Sequence, residues 1–259
     1  MTTPDVPPAD VSRLPDKTVV GAFFGTLNEL LHSSENPKSF AAAFFRQTRS
    51  KHFLLAIETM AEMDRLYCEM RSILDEFTGR DHFFMKSLTS DHLAAAMKLY
   101  IISLHTMLDL VARLINSVFN LGIADSDVTP RLVLNNEHVK STRIPEIIAA
   151  YEKGLPVKDL RKRRNDTVHR GRIPDPDVEG LLKERNTLDS RRHSLFETNR
   201  ISEVEYQKGI SALQVRLSAV SKEKQELWEQ LHGKTIAMTS AVAREVALKT
   251  VERYKGGAV

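Results

Sequence analysis

The sequence predicts an all-α protein in which a helical bundle is followed by an antiparallel helical hairpin. Large apolar residues recur at helical spacing from residue 16 onward. No segment alternates apolar and polar residues as a half-buried strand does, and no glycine-rich phosphate-binding loop is present. Together these observations favour a protein built from helices alone.

Composition limits the class of protein. Of 259 residues, 42% are hydrophobic and 27% charged, which suits one large domain or two small ones. The 37 basic and 34 acidic residues give a net charge of +3, so any contact with nucleic acid should be local. The single cysteine, Cys68, excludes an intramolecular disulfide and a multi-cysteine metal site. With no signal peptide and no apolar run near the roughly 20 residues that span a bilayer, we expect a cytoplasmic protein without membrane contact.

Three regions are expected along the chain. Residues 1–15 are rich in proline and poor in large apolar side chains, which predicts a disordered leader. A helical domain should follow over residues 16–177. The charged residues 178–259 should form the hairpin and one terminal helix.

Four helices are predicted in the helical domain before its last segment. One begins near Val19, and a longer one follows Asn36 and Pro37 and ends at Gly79. The third, capped by Ser90 or Asp91 and closed by Gly122, is apolar on more than one side and should be the most buried. Residues 123–142 resemble a long connection, which is either functional or conceals a short element. The fourth helix runs from Pro145 to Tyr151, and Gly154 breaks it.

The turn "GRIPDPD" separates this domain from the hairpin. We predict one hairpin helix over residues 178–196 and the other over 202–231, with a separate final helix over 235–254. The second hairpin helix carries a heptad pattern in which Lys224 is the polar exception. Its apolar members are Ile210, Leu213, Leu217, Val220, Leu227 and Leu231.

The segment "RKRRNDTVHRGR", residues 161–172, is the strongest functional signal. Seven basic and two acidic residues between 158 and 172 give a local net charge of +5, which would attract phosphates. On a helix from Pro156 to Arg170, one stripe contains Val157, Leu160, Arg164 and Val168. Arg164 is therefore expected among buried residues, where a guanidinium needs a carboxylate or an anionic ligand.

His169 is the second informative residue of this segment. A histidine imidazole can both give and take a proton near neutral pH. Arg164 and His169 are five residues apart, about 140° around an ideal helix. A site shared by these two residues would need a partly unwound helix end or a second subunit.

"RNDTVH" resembles the arginine–polar–three residues–histidine signature of the HEPN superfamily, a group of small all-α domains. The long upstream helix "LYIISLHTMLDLVARLINSVF" is similar to the one that packs beside the motif helix in that family. The resemblance covers roughly residues 90–172. It implies a HEPN-type helical bundle and, as in many members, a metal-independent ribonuclease with no cofactor.

The resemblance also implies roles for individual residues. His169 would act as general base or acid on a ribose 2′-hydroxyl, Arg164 would stabilise the charge at phosphorus, and Asn165 would orient the phosphate or the histidine. Asp109, with His105 one turn earlier, is the candidate partner of Arg164. Five further basic residues of the segment are expected to bind RNA: Arg161, Lys162, Arg163, Arg170 and Arg172.

Partners and biological role follow the same resemblance. HEPN sites are similar to paired clefts at a dimer two-fold, so we expect a homodimer that cleaves RNA in a toxin or antiphage role. One alternative is a non-catalytic HEPN-like module that binds nucleic acid or a protein. Another is a structural protein whose hairpin, residues 178–231, captures a protein partner.

Overall fold

The computed structural model of the protein describes residues 18–34, 50–78, 90–155, 160–170, 175–194 and 199–256. These ranges contain helices and turns but no strand, which confirms the all-α prediction. The predicted leader, residues 1–15, lies outside them. The nine described helices are α1 (Val19–His32), α2 (Lys51–Thr78), α3 (Ser90–Phe119), α4 (Pro130–Leu134), α5 (Glu137–Lys140), α6 (Ile144–Gly154), α7 (Leu160–Arg170), α8 (Pro176–Arg192) and α9 (Glu203–Gly256).

The chain divides into two compact units, each assembled from separate stretches of sequence. The first comprises residues 1–65, 108–154 and 235–259, and the second comprises 66–107 and 155–234. The two units therefore alternate along the chain, whereas the sequence suggested consecutive regions that meet at residue 177. The motif helix α7 and the hairpin both belong to the second unit.

In the first unit, Asp64 caps the start of α1. Its Oδ1 accepts a 2.7 Å hydrogen bond from the backbone N–H of Val19, and its Oδ2 accepts one of 3.2 Å from Val20. A carboxylate suits a helix N-terminus, where N–H groups lack intrahelical partners and the helix dipole is positive. Burial raises the pKa of Asp64, although these two backbone hydrogen bonds oppose the rise. Asp64 thereby joins α1 to α2.

The end of α3 is set by Asn120, and the prediction that Gly122 closes this helix is wrong. Asn120 has a φ of 50° in the left-handed region. The backbone N–H of Leu121 donates to the carbonyl of Asn116, and that of Asn120 to Ser117, which is the pattern of a Schellman cap. Asparagine tolerates this conformation better than other residues with a Cβ.

The connection at residues 123–142 contains two short helices that periodicity could not reveal, since each is about one turn long. Thr129 accepts a hydrogen bond from the backbone N–H of Leu132 and caps α4. Asn136 accepts one from His138 and caps α5. Capping side chains, rather than apolar spacing, mark these two elements in the sequence.

Among the described helices, Asp91–Phe119 is long and apolar enough to cross a bilayer by length and composition. By length and composition alone, one such helix is weak evidence for a membrane span. Half of its most apolar window is buried inside the protein. The core helix of a globular domain meets the same criterion, as the full burial of Leu104 and Met107 illustrates.

Helix α8 and the part of α9 up to Lys234 form the predicted antiparallel hairpin in the second unit. Side-chain pairs join residues at mirrored positions: Arg192 with Glu203 at 3.1 Å, Tyr206 with Asp189 at 2.7 Å, and Arg216 with Glu184 at 2.6 Å. As the residue number falls along α8 it rises along α9, which confirms the antiparallel arrangement.

The second hairpin helix continues to Gly256, so the prediction of a separate final helix is wrong. Gly233 lies inside α9 and interrupts nothing. A glycine in a helix interior costs only about 1 kcal/mol relative to alanine. Leu231 and Thr235, on either side of it, are fully buried, and burial of such residues outweighs a penalty of that size.

The buried seam of α9 differs in phase from the predicted heptad. Trp228 is buried in place of Leu227, which is half-buried. The buried positions of the hairpin segment are Leu213, Leu217, Ser221, Lys224, Trp228 and Leu231. Lys224 therefore lies inside the seam itself.

Candidate functional site

Helix α7 carries the motif and contains the three predicted catalytic residues. Its predicted first residues, 156–159, lie outside the described part of the chain. The helix consists mainly of charged and polar side chains, which gives it little apolar surface to bury. Among its described side chains, Thr167 is buried, Arg164 and Asp166 are half-buried, and the other four are exposed: Lys162, Asn165, Val168 and His169.

Arg164 is half-buried, and its Nη1 donates a 3.3 Å hydrogen bond to Oδ1 of Asn165. The predicted apolar stripe is wrong at Val168, which is 46% exposed. Among the described side chains of α7, Thr167 is the buried one, and it lies on the opposite side of Arg164 from Val168 around the helix.

His169 and Asn165 lie on the accessible face of α7. Both are exposed and are four residues apart, so they are neighbours on one side of the helix. Lys162 is also exposed and lies one turn before Asn165. An accessible imidazole beside an amide and an ammonium group can exchange protons with a polar ligand and attract a phosphate.

The side chains of the other predicted RNA-binding residues are not among those that the structure describes. Arg161, Arg163 and Arg170 belong to α7, but their side chains are outside the described part of the structure. Arg172 lies outside the described residues altogether. Their contacts with RNA remain predictions.

His105 and Asp109 are half-buried and one turn apart on α3. His105 belongs to the second unit, together with α7, whereas Asp109 belongs to the first. The pairing of Asp109 with Arg164, and the contribution of His105, remain predictions. Within the described ranges, no three histidine, cysteine or carboxylate side chains are grouped as metal ligands would be.

Asp175 and Lys224 form a buried ion pair that sequence reasoning missed. Nζ of Lys224 lies 3.0 Å from Oδ2 of Asp175 and 3.1 Å from Oδ2 of Asp177. The Oδ1 atom of Asp175 accepts hydrogen bonds from the backbone N–H groups of Asp177 and Val178 and caps α8. Burial lowers the pKa of Lys224, but the hydrogen bonds with the two aspartates and the negative charges of Asp175 and Glu223 together outweigh it and leave the pKa raised. Two signals were available: an aspartate directly before Pro176, and a lysine at an apolar heptad position.

His232 is a second buried titratable group in this unit. Its Nδ1 is a buried side-chain atom without a hydrogen-bond partner among the described residues. The ring meets Tyr67 edge-on, with centroids 5.9 Å apart. Burial first, and then the positive charge of Arg71, lower the pKa of His232, so the neutral imidazole is favoured.

A family model described as HEPN_Cthe2314-like HEPN matches residues 39–232. The chain belongs to this HEPN family. The matched region extends beyond residues 90–172, where the sequence showed the resemblance, and includes both α7 and most of the hairpin. HEPN domains have nucleotide-related functions, often as ribonucleases, and are often dimeric. No curated protein and no solved structure matches the chain significantly.

Proposed function

We propose that this HEPN protein is a metal-independent endoribonuclease whose reaction depends on His169, Arg164 and Asn165. The observation that carries the proposal is the placement of the motif: His169 and Asn165 are exposed on one side of a basic helix, and Asn165 is hydrogen-bonded to Arg164. A substrate can therefore reach the imidazole, and the guanidinium already has a defined neighbour.

The reaction uses the ribose of RNA as its own nucleophile. His169 removes the proton of a 2′-hydroxyl, O2′ forms a bond to phosphorus, and the bond from phosphorus to the 5′-oxygen breaks. The leaving oxygen takes a proton from a general acid, for which His169 of a second subunit is the candidate. The products end in a 2′,3′-cyclic phosphate and a 5′-hydroxyl.

Arg164 and Asn165 act on the scissile phosphate in this reaction. The Arg164 guanidinium stabilises the charge that develops on the phosphorane oxygens, since charge-assisted hydrogen bonds are strong. Asn165 orients the scissile phosphate or the imidazole. Lys162 and the neighbouring arginines hold adjacent phosphates, and His105 on α3 supports Arg164.

A homodimer would complete the site. Arg164 and His169 point about 140° apart on one helix, so a single copy presents them in different directions. Two motif helices that meet across a two-fold axis can bring the Arg164 of one copy near the His169 of the other. Val168, 46% exposed between these residues, offers apolar surface for such a contact. A cytoplasmic toxin or antiphage role is part of this proposal.

Cleavage of mixed cellular RNA in the presence of EDTA tests the proposal. We expect products with 2′,3′-cyclic phosphate ends, and we expect His169→Ala and Arg164→Ala to abolish them. His138→Ala is the matched control, because His138 is an exposed histidine on α5 outside the motif. Unchanged cleavage by both motif variants would disprove these roles.

The second candidate function is RNA binding without cleavage. It is favoured by the exposure of Lys162 within a segment of local charge +5. Binding would then weaken steeply with salt while the RNA stays intact. A non-catalytic protein could also bind a protein partner through the hairpin instead of RNA.

A further inference from the structure

His232 is a buried imidazole that the proposed chemistry does not use. Its side chain on α9 packs edge-on against the ring of Tyr67 on α2, with centroids 5.9 Å apart and planes 89° from parallel. Both residues are 7% exposed and belong to the second unit. One turn earlier on α9, Trp228 stacks on Tyr100 of α3. The contact of His232 with Tyr67 therefore joins α2 to a buried aromatic side of α9.

Charged side chains of both helices lie beside this contact. On α2, Arg71 donates a 2.7 Å hydrogen bond to Asp75 and one of 3.1 Å to Glu229 of α9. The positive charge of Arg71 disfavours the cationic form of His232, whereas the negative charges of Glu229 and Asp75 favour it. Both carboxylates are about two-fifths exposed and already accept hydrogen bonds from Arg71, which weakens their effect on the imidazole.

The buried nitrogen of His232 makes protonation costly at this position. A neutral imidazole has one N–H group and one acceptor nitrogen, whereas the cation has an N–H group on each nitrogen. Protonation would therefore place a donor at Nδ1, which is closed off from water and has no hydrogen-bond partner among the described residues. A buried donor or charge without a partner is costly, and this cost disappears when the ring moves into water.

We propose that His232 is a pH-sensitive switch: its neutral ring holds α2 against α9 through Tyr67, and its protonation releases the ring and separates the two helices locally. The inference goes beyond the proposed function and does not depend on ribonuclease activity. In the turns after Tyr67, α2 buries Met70 and Leu74 completely. A helix owes most of its stability to such packing, so the backbone amides of this stretch should exchange faster once the contact opens.

Hydrogen exchange of the full chain, followed by mass spectrometry at pH 7.5 and pH 5.5, tests the proposal. Rates are corrected for the intrinsic pH dependence of amide exchange. His232→Phe keeps an aromatic ring beside Tyr67 and cannot titrate. His138→Phe is the matched control, because His138 is an exposed histidine on α5. If His232→Phe does not fold, His232→Gln replaces it, since glutamine is also uncharged at both pH values.

We expect the protection of residues 67–74 to fall by up to about tenfold between the two pH values. The released ring has the ordinary pKa of about 6.5, and each pH unit below it favours the open form by up to tenfold. His138→Phe should show the same loss, and His232→Phe should show none. The buried hairpin positions Leu181 and Leu213 should stay protected throughout.

Three results would overturn the proposal. The first is unchanged protection of residues 67–74 in the unsubstituted protein, which would mean that acid does not open the contact. The second is an equal loss in the variant at position 232, which would assign the opening to other groups. The third is an equal loss at the two hairpin positions, because the second unit would then unfold as a whole instead of opening locally.

Discussion

Tyr100 and Trp228 stack face to face in the second unit, with ring centroids 5.4 Å apart and planes 10° from parallel. The Tyr100 hydroxyl also donates a 3.1 Å hydrogen bond to the backbone carbonyl of Trp228. Both residues are buried, so α3 and α9 share one aromatic contact and one hydrogen bond at the same place.

Removal of the indole should cost more than removal of the hydroxyl. We expect Trp228→Ala to lower the free energy of unfolding by about 3–5 kcal/mol, because it leaves a cavity against Tyr100. Tyr100→Phe should cost about 1 kcal/mol, since it deletes one hydrogen bond and keeps the stacked ring. Urea denaturation followed by circular dichroism measures both. Equal effects of the two substitutions would show that stacking contributes little.

Gly233 should be replaceable by alanine with a gain in stability. Apart from the glycine, its two chain neighbours and the backbone of its own helix, no described atom lies within 4 Å of the position that a Cβ would occupy, and the residue is inside α9. Gly233→Ala should raise the free energy of unfolding by roughly 0.5–1 kcal/mol. Gly209→Ala is the comparison, because its Cβ would lie 2.9 Å from both Cδ atoms of Leu188. Thermal denaturation of both variants should show that Gly209→Ala raises the stability less than Gly233→Ala does, or lowers it.

Asn120 should resist substitution by alanine but accept glycine. Its φ of 50° is unfavourable for a residue with an ordinary Cβ, and its side chain can relieve part of that cost. We expect Asn120→Ala to destabilise the protein by about 1 kcal/mol and Asn120→Gly to be neutral or slightly stabilising. The order of the two melting temperatures checks this, and the reverse order would contradict the left-handed cap.

His232 should make the protein sensitive to mild acid. Its folded pKa is depressed, chiefly by burial, so the unfolded chain binds a proton more readily than the folded one. The stability that depends on neutral His232 is complete above the unfolded pKa of about 6.5 and is lost as pH falls from there toward the folded pKa.

The variant His232→Phe tests this dependence, since it keeps an aromatic ring beside Tyr67 and cannot titrate. We expect its urea midpoint to fall less than that of the unsubstituted protein between pH 7.5 and pH 5. This interval contains the pKa of a histidine in the unfolded chain, about 6.5. His138→Phe, on an exposed residue, should leave the original pH dependence unchanged. Parallel pH profiles for His232→Phe and the unsubstituted protein would assign the acid sensitivity to other groups.

The sequence predicted the helices in which the apolar spacing is long and regular. The motif "RNDTVH" also indicated the HEPN family, which the family model confirms. It failed where packing overrides local signals. Gly233 resembles a helix break, yet burial of Leu231 and Thr235 carries α9 through it. Helices α4 and α5 are too short for any period, and only the caps Thr129 and Asn136 mark them.

The candidate site shows the same limit at the level of single side chains. Periodicity placed Arg164 and Val168 on a buried stripe, but Val168 is exposed, and Thr167 is the buried residue among the described side chains of α7. A shift of one residue turns a helix by 100°, and a mainly polar helix such as α7 offers too few apolar residues to define that angle. Lys224 could be recognised as an exception in the heptad, but its partner Asp175 is 49 residues away and follows only from the folded chain.

The mirrored pairing of α8 and α9 also predicts where relatives can differ in length. Residues added or lost between Ser194 and Asn199 leave the two helices in register. Each of the pairs Arg192–Glu203 and Arg216–Glu184 joins one residue before this segment with one residue after it. A single deletion within α9 between Glu203 and Arg216 would instead rotate one pair by about 100° relative to the other. Across evolution, insertions and deletions should therefore collect at the turn of the hairpin and avoid its two arms.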